Sequence, residues 1–181
     1  MPTARHRLTA ESISLYHTNQ SPAQPGSQTA FGQDEMKASE GKIGRIFMVR
    51  LEDGDMVPAC LEKFAEEKGI KTGQVVLIGG IGDGQVVVGP RKSAEMPPDP
   101  VLLPIEGAQE VVGVGIFAPN KEGKVKLHIH AAMGRAGRTL TGCLRYGAKT
   151  WLVGEAVIYE ITGTSAKRLP DKASGFDLME M

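Results

Sequence analysis

The chain has 181 residues, of which 41% are hydrophobic, and it carries 21 basic and 21 acidic residues. This length and composition are typical of one globular domain, and the balanced charge lacks the basic excess of most stand-alone nucleic-acid-binding proteins. Two cysteines are too few for a disulfide framework, and neither a signal-peptide pattern nor an apolar run of membrane-spanning length is present. We therefore expect a cytoplasmic protein that does not enter a membrane.

Residues 1–40 differ in composition from the rest of the chain. They are rich in Ser, Thr, Gln, Pro and Gly and show little apolar periodicity, which is typical of a disordered leader. Met36 stands just before the first predicted strand, so a start at Met36 is an alternative interpretation. The rest of the chain, residues 41–181, has 18 basic and 17 acidic residues and is expected to form one near-neutral domain.

The domain is predicted to begin with a strand and its main helix. Residues 43–51 are rich in branched side chains, which favours a strand. Beyond an acidic turn, apolar residues recur from Val57 to Ala65 at the spacing of one helix face. This pattern predicts a helix over about 55–68 that ends at Gly69.

The remaining pattern is mostly that of strands. Strands are predicted at 74–81 and 85–88, followed by a loop over 91–104 because that segment holds four prolines. One helix among about seven strands indicates an α+β fold built on a largely antiparallel sheet. Further strands are predicted at 109–117, 124–133, 139–144 and 151–161, with a mostly loop-like tail over 165–181.

The sequence Leu127-His128-Ile129-His130 is the strongest candidate for chemistry. Alternate residues of a strand point to the same face, so His128 and His130 are expected to project side by side. If the following turn is centred on Arg135 and Ala136, His128 lies opposite Cys143 on the next strand. A slip of one residue in that pairing would move Cys143 to the other face.

Two imidazoles and one thiolate form a suitable ligand set for zinc, and they would leave a fourth position open. A pair of solvated histidines and a buried apolar cysteine are the competing interpretations. Glu155 interrupts an apolar strand, and it is interpreted as a general base near a metal-bound water, an intersubunit contact or an outward-facing residue. The basic pair Lys167-Arg168 is interpreted as solvated loop.

A set of short motifs resembles a known family in its order along the chain. The set comprises residues 49–55, the helix ending at Gly69-Ile70, 78–82, 110–113, 127–130, 142–144 and 155–158. In this order the motifs resemble the Plants and Prokaryotes Conserved (PPC) domain, in the form that stands alone in prokaryotes. The resemblance covers about residues 43–180.

The resemblance implies an α+β fold that assembles as a homotrimer. It also implies a zinc site formed by the histidines of the Leu-His-x-His strand and a third histidine from a Gly-Gly-His-Leu turn. These positions correspond to His128, His130 and Cys143, where this chain has Thr-Gly-Cys-Leu. Thiolate is a good zinc ligand, so the departure is chemically conservative.

The resemblance further implies DNA binding, although this chain has no Arg-Gly-Arg-Pro segment of the kind that plant members insert into the minor groove. The leading hypothesis is therefore a homotrimeric zinc-binding protein that acts on DNA or on a regulatory partner protein, so a binding role is favoured over an enzymatic one. The alternative is a metal-dependent enzyme that uses the open coordination position. A scaffold whose trimer interface is its function is a third interpretation.

Overall fold

The computed structural model describes residues 36–181. The predicted leader lies outside this range except for residues 36–40, which form no helix or strand. The described residues contain one helix, α1 (Ala59–Glu67), and eleven strands. The strands are β1 (Lys42–Glu52), β2 (Met56–Val57), β3 (Thr72–Gly82), β4 (Gln85–Pro90), β5 (Pro100–Pro104), β6 (Gln109–Pro119), β7 (Val125–Arg135), β8 (Arg138–Tyr146), β9 (Ala148–Thr162), β10 (Lys167–Pro170) and β11 (Asp177–Glu180).

Nine of the strands form one sheet in the order β1-β9-β3-β6-β7-β8-β4-β5, with β2 paired to β9. Strands β10 and β11 form a separate hairpin. All the pairings are antiparallel, so the prediction of a largely antiparallel sheet with one helix is confirmed. No helix among the described residues is long and apolar enough to cross a membrane.

The helix is shorter than the predicted 55–68 and begins at Ala59. Pro58 is the physical reason, because a proline disfavours helical backbone in the residue before it. Val57 is therefore extended and pairs with Ala148 of β9, while its side chain still packs in the core. Val57 fits the apolar spacing of the helix because its side chain is buried, but its own backbone is not helical.

Two segments that were predicted as loop contain strands. β5 lies within the proline-rich segment and, among the described strands, pairs only with β4 at the edge of the sheet. Prolines are tolerated at an edge because a strand there has one side on which its N–H groups need no strand partner. The tail forms the β10–β11 hairpin. Its strands have four residues each, which is too short for alternation to reveal them reliably.

One face of the sheet packs on α1 and forms the hydrophobic core. Leu61 and Ala65 of the helix are buried with Phe117, Ile129 and the other inward side chains. The close approach of β6 to β7 depends on glycine. A Cβ atom added at Gly115 would lie only 2.8 Å from the Ile129 Cβ atom and the Leu127 Cδ1 atom. The absence of a side chain there allows the bulky residues of β7 to fill the core.

The opposite face is apolar but exposed. We call it the outer face and define it by Ile46, Met48, Ile78, Val112, Val114 and Ile116. Met48 is 80% exposed and Val112 is 54% exposed. The cross-strand register continues this face into β7, where Val114 pairs with His130 and Ile116 pairs with His128.

Candidate metal centre

Strand β7 places the two histidines on the outer face. Leu127 and Ile129 point into the core and are buried, whereas His128 and His130 between and after them are exposed. This alternation follows from the two-residue period of a strand. The predicted side-by-side placement of the histidines is therefore present in the structure.

The turn after β7 sets the position of Cys143. Ala136 and Gly137 have φ angles of 50° and 77°, as the two central residues of a type I′ hairpin turn require. Their turn pairs His130 with Cys143, so the prediction that His128 lies opposite Cys143 was wrong by two residues. A shift of two residues keeps the side chain on the same face of the sheet, and Cys143 therefore still faces the histidines.

The three side chains converge. A ring nitrogen of His128, a ring nitrogen of His130 and the Sγ atom of Cys143 all lie within 4.8 Å of one another. The two Nε2 atoms are 3.1 Å apart, close enough for one ring to donate a hydrogen bond to the other. Two nitrogens bound to one tetrahedral zinc ion lie about 3.3 Å apart, so the spacing of the imidazoles suits such an ion.

The charge state of His128 also suits a metal ligand. Although His128 is exposed to solvent on one side, neighbouring atoms partly desolvate its ring and lower its pKa to about 4. The positive charges of Arg168 and Arg145 act in the same direction. Near neutral pH the ring is therefore uncharged, which is the form that binds metals.

Cys143 is only 5% exposed. It lies between His130 on β7 and Val87 on β4 in the sheet. The Nε–H group of Arg145 donates a hydrogen bond to its sulfur atom, with an Nε–Sγ distance of 3.3 Å. Thiolate is the form of cysteine that binds a metal, and a guanidinium N–H is a suitable hydrogen-bond donor to it.

Arg168 is a neighbour of the cluster that the sequence did not reveal. It lies on β10 with only 9% of its surface exposed, which corrects the interpretation of this residue as solvated, whereas its neighbour Lys167 is exposed. Its charge acts on His128, and the charges of Asp177 and Arg145 act on it in opposite directions. The Nε atom of Arg168 is buried and has no hydrogen-bond partner among the described residues.

Glu155 lies on the outer face but is not part of the cluster. It pairs with Arg50 on β1 and with Ile78 on β3. Its strand β9 is three strands away from β7, a separation of roughly 14 Å at the usual spacing of paired strands. Within one chain, the structure therefore does not bring Glu155 to the two histidines and the cysteine.

Comparison with known families gives a clear result. The model of the Plants and Prokaryotes Conserved (PCC) domain, also abbreviated PPC, matches residues 38–162. The chain belongs to this family. The predicted resemblance is thus confirmed, and the match includes His128, His130 and Cys143. No curated protein matches this PPC-domain chain significantly.

Solved structures share the fold of this PPC-domain chain. A metal-containing protein from Archaeoglobus fulgidus is 24% identical with a TM-score of 0.70, and the match covers 81% of this chain and 100% of that one. A PPC protein from Pyrococcus horikoshii is 22% identical with a TM-score of 0.70, covering 81% and 98%. A protein from Bacteroides thetaiotaomicron described as a "putative DNA-binding protein" is 23% identical with a TM-score of 0.66, covering 78% and 96%.

Proposed function

We propose that this PPC-domain chain is a homotrimeric zinc-binding protein that acts in DNA-associated or regulatory binding. The observation that carries the proposal is the convergence of His128, His130 and Cys143 on the outer face of the sheet. The domain is proposed to span residues 41–181, and the leader is not assigned a role.

The ligand chemistry supports zinc as the metal. Two imidazole nitrogens and one thiolate sulfur are the mixed donor set that zinc accepts, whereas magnesium and calcium prefer oxygen ligands. The similar fold from Archaeoglobus fulgidus belongs to a metal-containing protein. Zinc bound by three protein ligands would link β7 to β8 and leave one coordination position for another ligand.

The outer face supports self-association. Soluble monomers rarely expose a large contiguous apolar patch, and such patches mark interfaces between proteins. Ile46, Met48 and Val112 lie on such a patch across several neighbouring strands of the sheet. The trimeric stoichiometry is what the family resemblance implies. The histidines continue the same face, which places the proposed metal beside the proposed interface.

The DNA-associated role is supported by family membership and limited by charge. The protein from Bacteroides thetaiotaomicron with this fold is described as a "putative DNA-binding protein". Affinity for duplex DNA comes largely from basic residues that neutralise phosphates. The near-neutral domain supplies few of them, so we propose that the trimer contacts DNA weakly alone and more firmly with a partner protein.

A metal-dependent enzyme is the second candidate. The observation in its favour is the number of protein ligands, since three ligands leave room for a metal-bound water with a lowered pKa. A general base would have to come from elsewhere than Glu155 of the same chain, given its separation from the cluster.

The proposal is tested on full-length protein purified without chelators. Elemental analysis is expected to find about one zinc ion per chain, and light scattering is expected to give the mass of three chains. A filter-binding titration with duplex DNA at low salt is expected to show weak, salt-sensitive binding. Absence of zinc would reject the metal site, a monomeric mass would reject the trimer, and absence of DNA binding would reject direct contact with DNA.

A further inference from the structure

We propose that Arg145 and Arg168 form a subsite for a small oxyanion, a phosphate or carboxylate group, beside the cluster of His128, His130 and Cys143. This proposal deepens the proposed function and rests on the same cluster, because the oxyanion would reach the coordination position that the three protein ligands leave open. The two arginines supply the charge and the hydrogen-bond donors.

The first observation is the unpartnered donor of Arg168. The residue is nine-tenths buried, and its Nε–H group is buried without a hydrogen-bond partner in the described part of the chain. A buried donor without a partner is costly, and most such groups in proteins are paired with protein, water or ligand. A bound oxyanion would provide the missing acceptor.

The second observation is the proximity of two like charges. Arg145 stacks on Phe176 in the segment that joins β10 to β11, and Arg168 lies on β10 of the same hairpin. Asp177 opposes the effect of Arg145 on the pKa of Arg168, but among the described residues no carboxylate forms an ion pair with either arginine. Two guanidinium groups without a paired anion favour binding of one.

The third observation is that the two side chains are held in place. Arg168 belongs to the β10–β11 hairpin, whose strand β10 contacts β6 of the main sheet. Arg145 stacks over the ring of Phe176, with 5.6 Å between its Cζ atom and the ring centroid, while its Nε atom contacts Cys143. Among the described residues its terminal nitrogens form no ion pair. A planar guanidinium fork matches the oxygen atoms of phosphate or carboxylate.

The burial of Arg168 limits the size of the ligand that can reach the subsite. A guanidinium group that is nine-tenths buried is reached by a small anion, whereas a DNA backbone needs an open surface that follows several phosphates. The subsite therefore differs in kind from a nucleic-acid interface. An anion bound in this subsite would contact both the proposed metal and the β10–β11 hairpin.

The test is calorimetric titration of full-length protein with inorganic phosphate. The protein is used metal-free and after zinc loading with removal of free zinc, and acetate is titrated in parallel. We expect saturable binding that is tighter in the zinc-loaded protein. Arg168→Met and Arg145→Met should each weaken it about tenfold or more, while Lys167→Met, with the same loss of charge on the same strand, should not. Tighter binding of phosphate or of acetate identifies which oxyanion the subsite prefers.

The outcomes separate this proposal from that of the metal site. Normal zinc uptake without binding of either anion overturns the subsite and leaves the metal site standing. Lack of zinc uptake rejects the metal site, and the metal-free titration then decides whether the arginines bind an anion by themselves. Equal anion binding by the wild type and by folded Arg145→Met and Arg168→Met variants overturns the subsite in either case.

Discussion

His130 and Cys143 are cross-strand partners on β7 and β8, and this pairing brings an imidazole and a thiol to the same face of the sheet. It is fixed by a two-residue turn in which Ala136 and Gly137 adopt positive φ angles. A shift of two residues in this pairing would leave Cys143 on the same face as the histidines, whereas a shift of one residue would turn it into the core.

Replacing Cys143 should weaken metal binding. Cys143→Ala removes one of three ligands, and we expect the affinity for zinc to fall by at least about tenfold, since even outer partners of metal ligands are worth that much. Competition with a chromophoric chelator measures the change. Cys60→Ala is the matched control, because Cys60 lies on α1 away from the cluster and burial raises the pKa of its thiol to about 11. Equal affinities of the two variants would contradict the assignment.

If the outer face forms the trimer interface, a charged side chain placed on it should disrupt the trimer. Met48→Glu places a carboxylate on the most exposed side chain of that face, and burial of a charge at an interface is costly. We expect light scattering to show a change in mass from three chains to one. Met96→Glu makes the same change in the segment between β4 and β5, outside the outer face, and should keep the trimer. A Met48→Glu variant with the mass of the wild type would contradict the interface.

The ion pair between Glu160 and Arg45 predicts that the fold loses stability in acid. Arg45 binds its carboxylate through Nε and Nη2, each at 2.7 Å, and through its backbone N–H at 3.0 Å. These hydrogen bonds lower the pKa of Glu160 to about 2 from the usual 4.5. Because the pKa in the folded chain is the lower one, the ion pair stabilises the fold above about pH 4.5 and loses its effect as the pH falls towards 2.

Glu160→Gln should therefore lower the free energy of unfolding by about 1 kcal/mol near pH 7, a modest value because Arg45 is half exposed. The difference from the wild type should shrink below pH 4. Urea denaturation at both pH values measures it. Glu66→Gln, an exposed position on α1, is the control and should have little effect at either pH. A difference from the wild type that does not change with pH would contradict the role of the ion pair.

The close approach of β6 to β7 at Gly115 predicts that a side chain at this position destabilises the fold. In Gly115→Ala the new methyl group would lie 2.8 Å from the His128 carbonyl oxygen and from the Ile129 Cβ atom. We expect a loss of about 1–3 kcal/mol, which is typical of overpacked cores, measured by thermal or urea denaturation. At Gly134 the nearest atom is 3.4 Å away, so Gly134→Ala should be much milder. Similar losses in both variants would contradict the close packing.

The sequence predicted those parts of the fold and site that depend on local periodicity. Alternation along residues 124–133 placed His128 and His130 on one face, as the structure has them. Local pattern did not locate the turn at Ala136 and Gly137, since several neighbouring residues suit a tight turn. It also misplaced the start of the helix, where Pro58 outweighs the apolar spacing.

The surroundings of the cluster depend on contacts between distant segments and could not be predicted. Arg168 acts on the charge of His128 because the tail folds into the β10–β11 hairpin, whose short strands carry little periodicity. Arg145 shares a strand and a face with Cys143, so its position follows from the register once that is known. The separation of Glu155 from the site likewise follows from the strand order, which local patterns do not encode.

X-ray absorption spectroscopy of the zinc-loaded, full-length protein tests the central claim most directly. The proposed site predicts about one zinc ion per chain with one sulfur ligand at roughly 2.3 Å and two imidazole nitrogens at roughly 2.0–2.1 Å. The sulfur contribution should disappear in Cys143→Ala and persist in Cys60→Ala. A spectrum of the wild-type protein without a sulfur ligand, or one that Cys143→Ala leaves unchanged, would contradict the metal centre proposed for His128, His130 and Cys143.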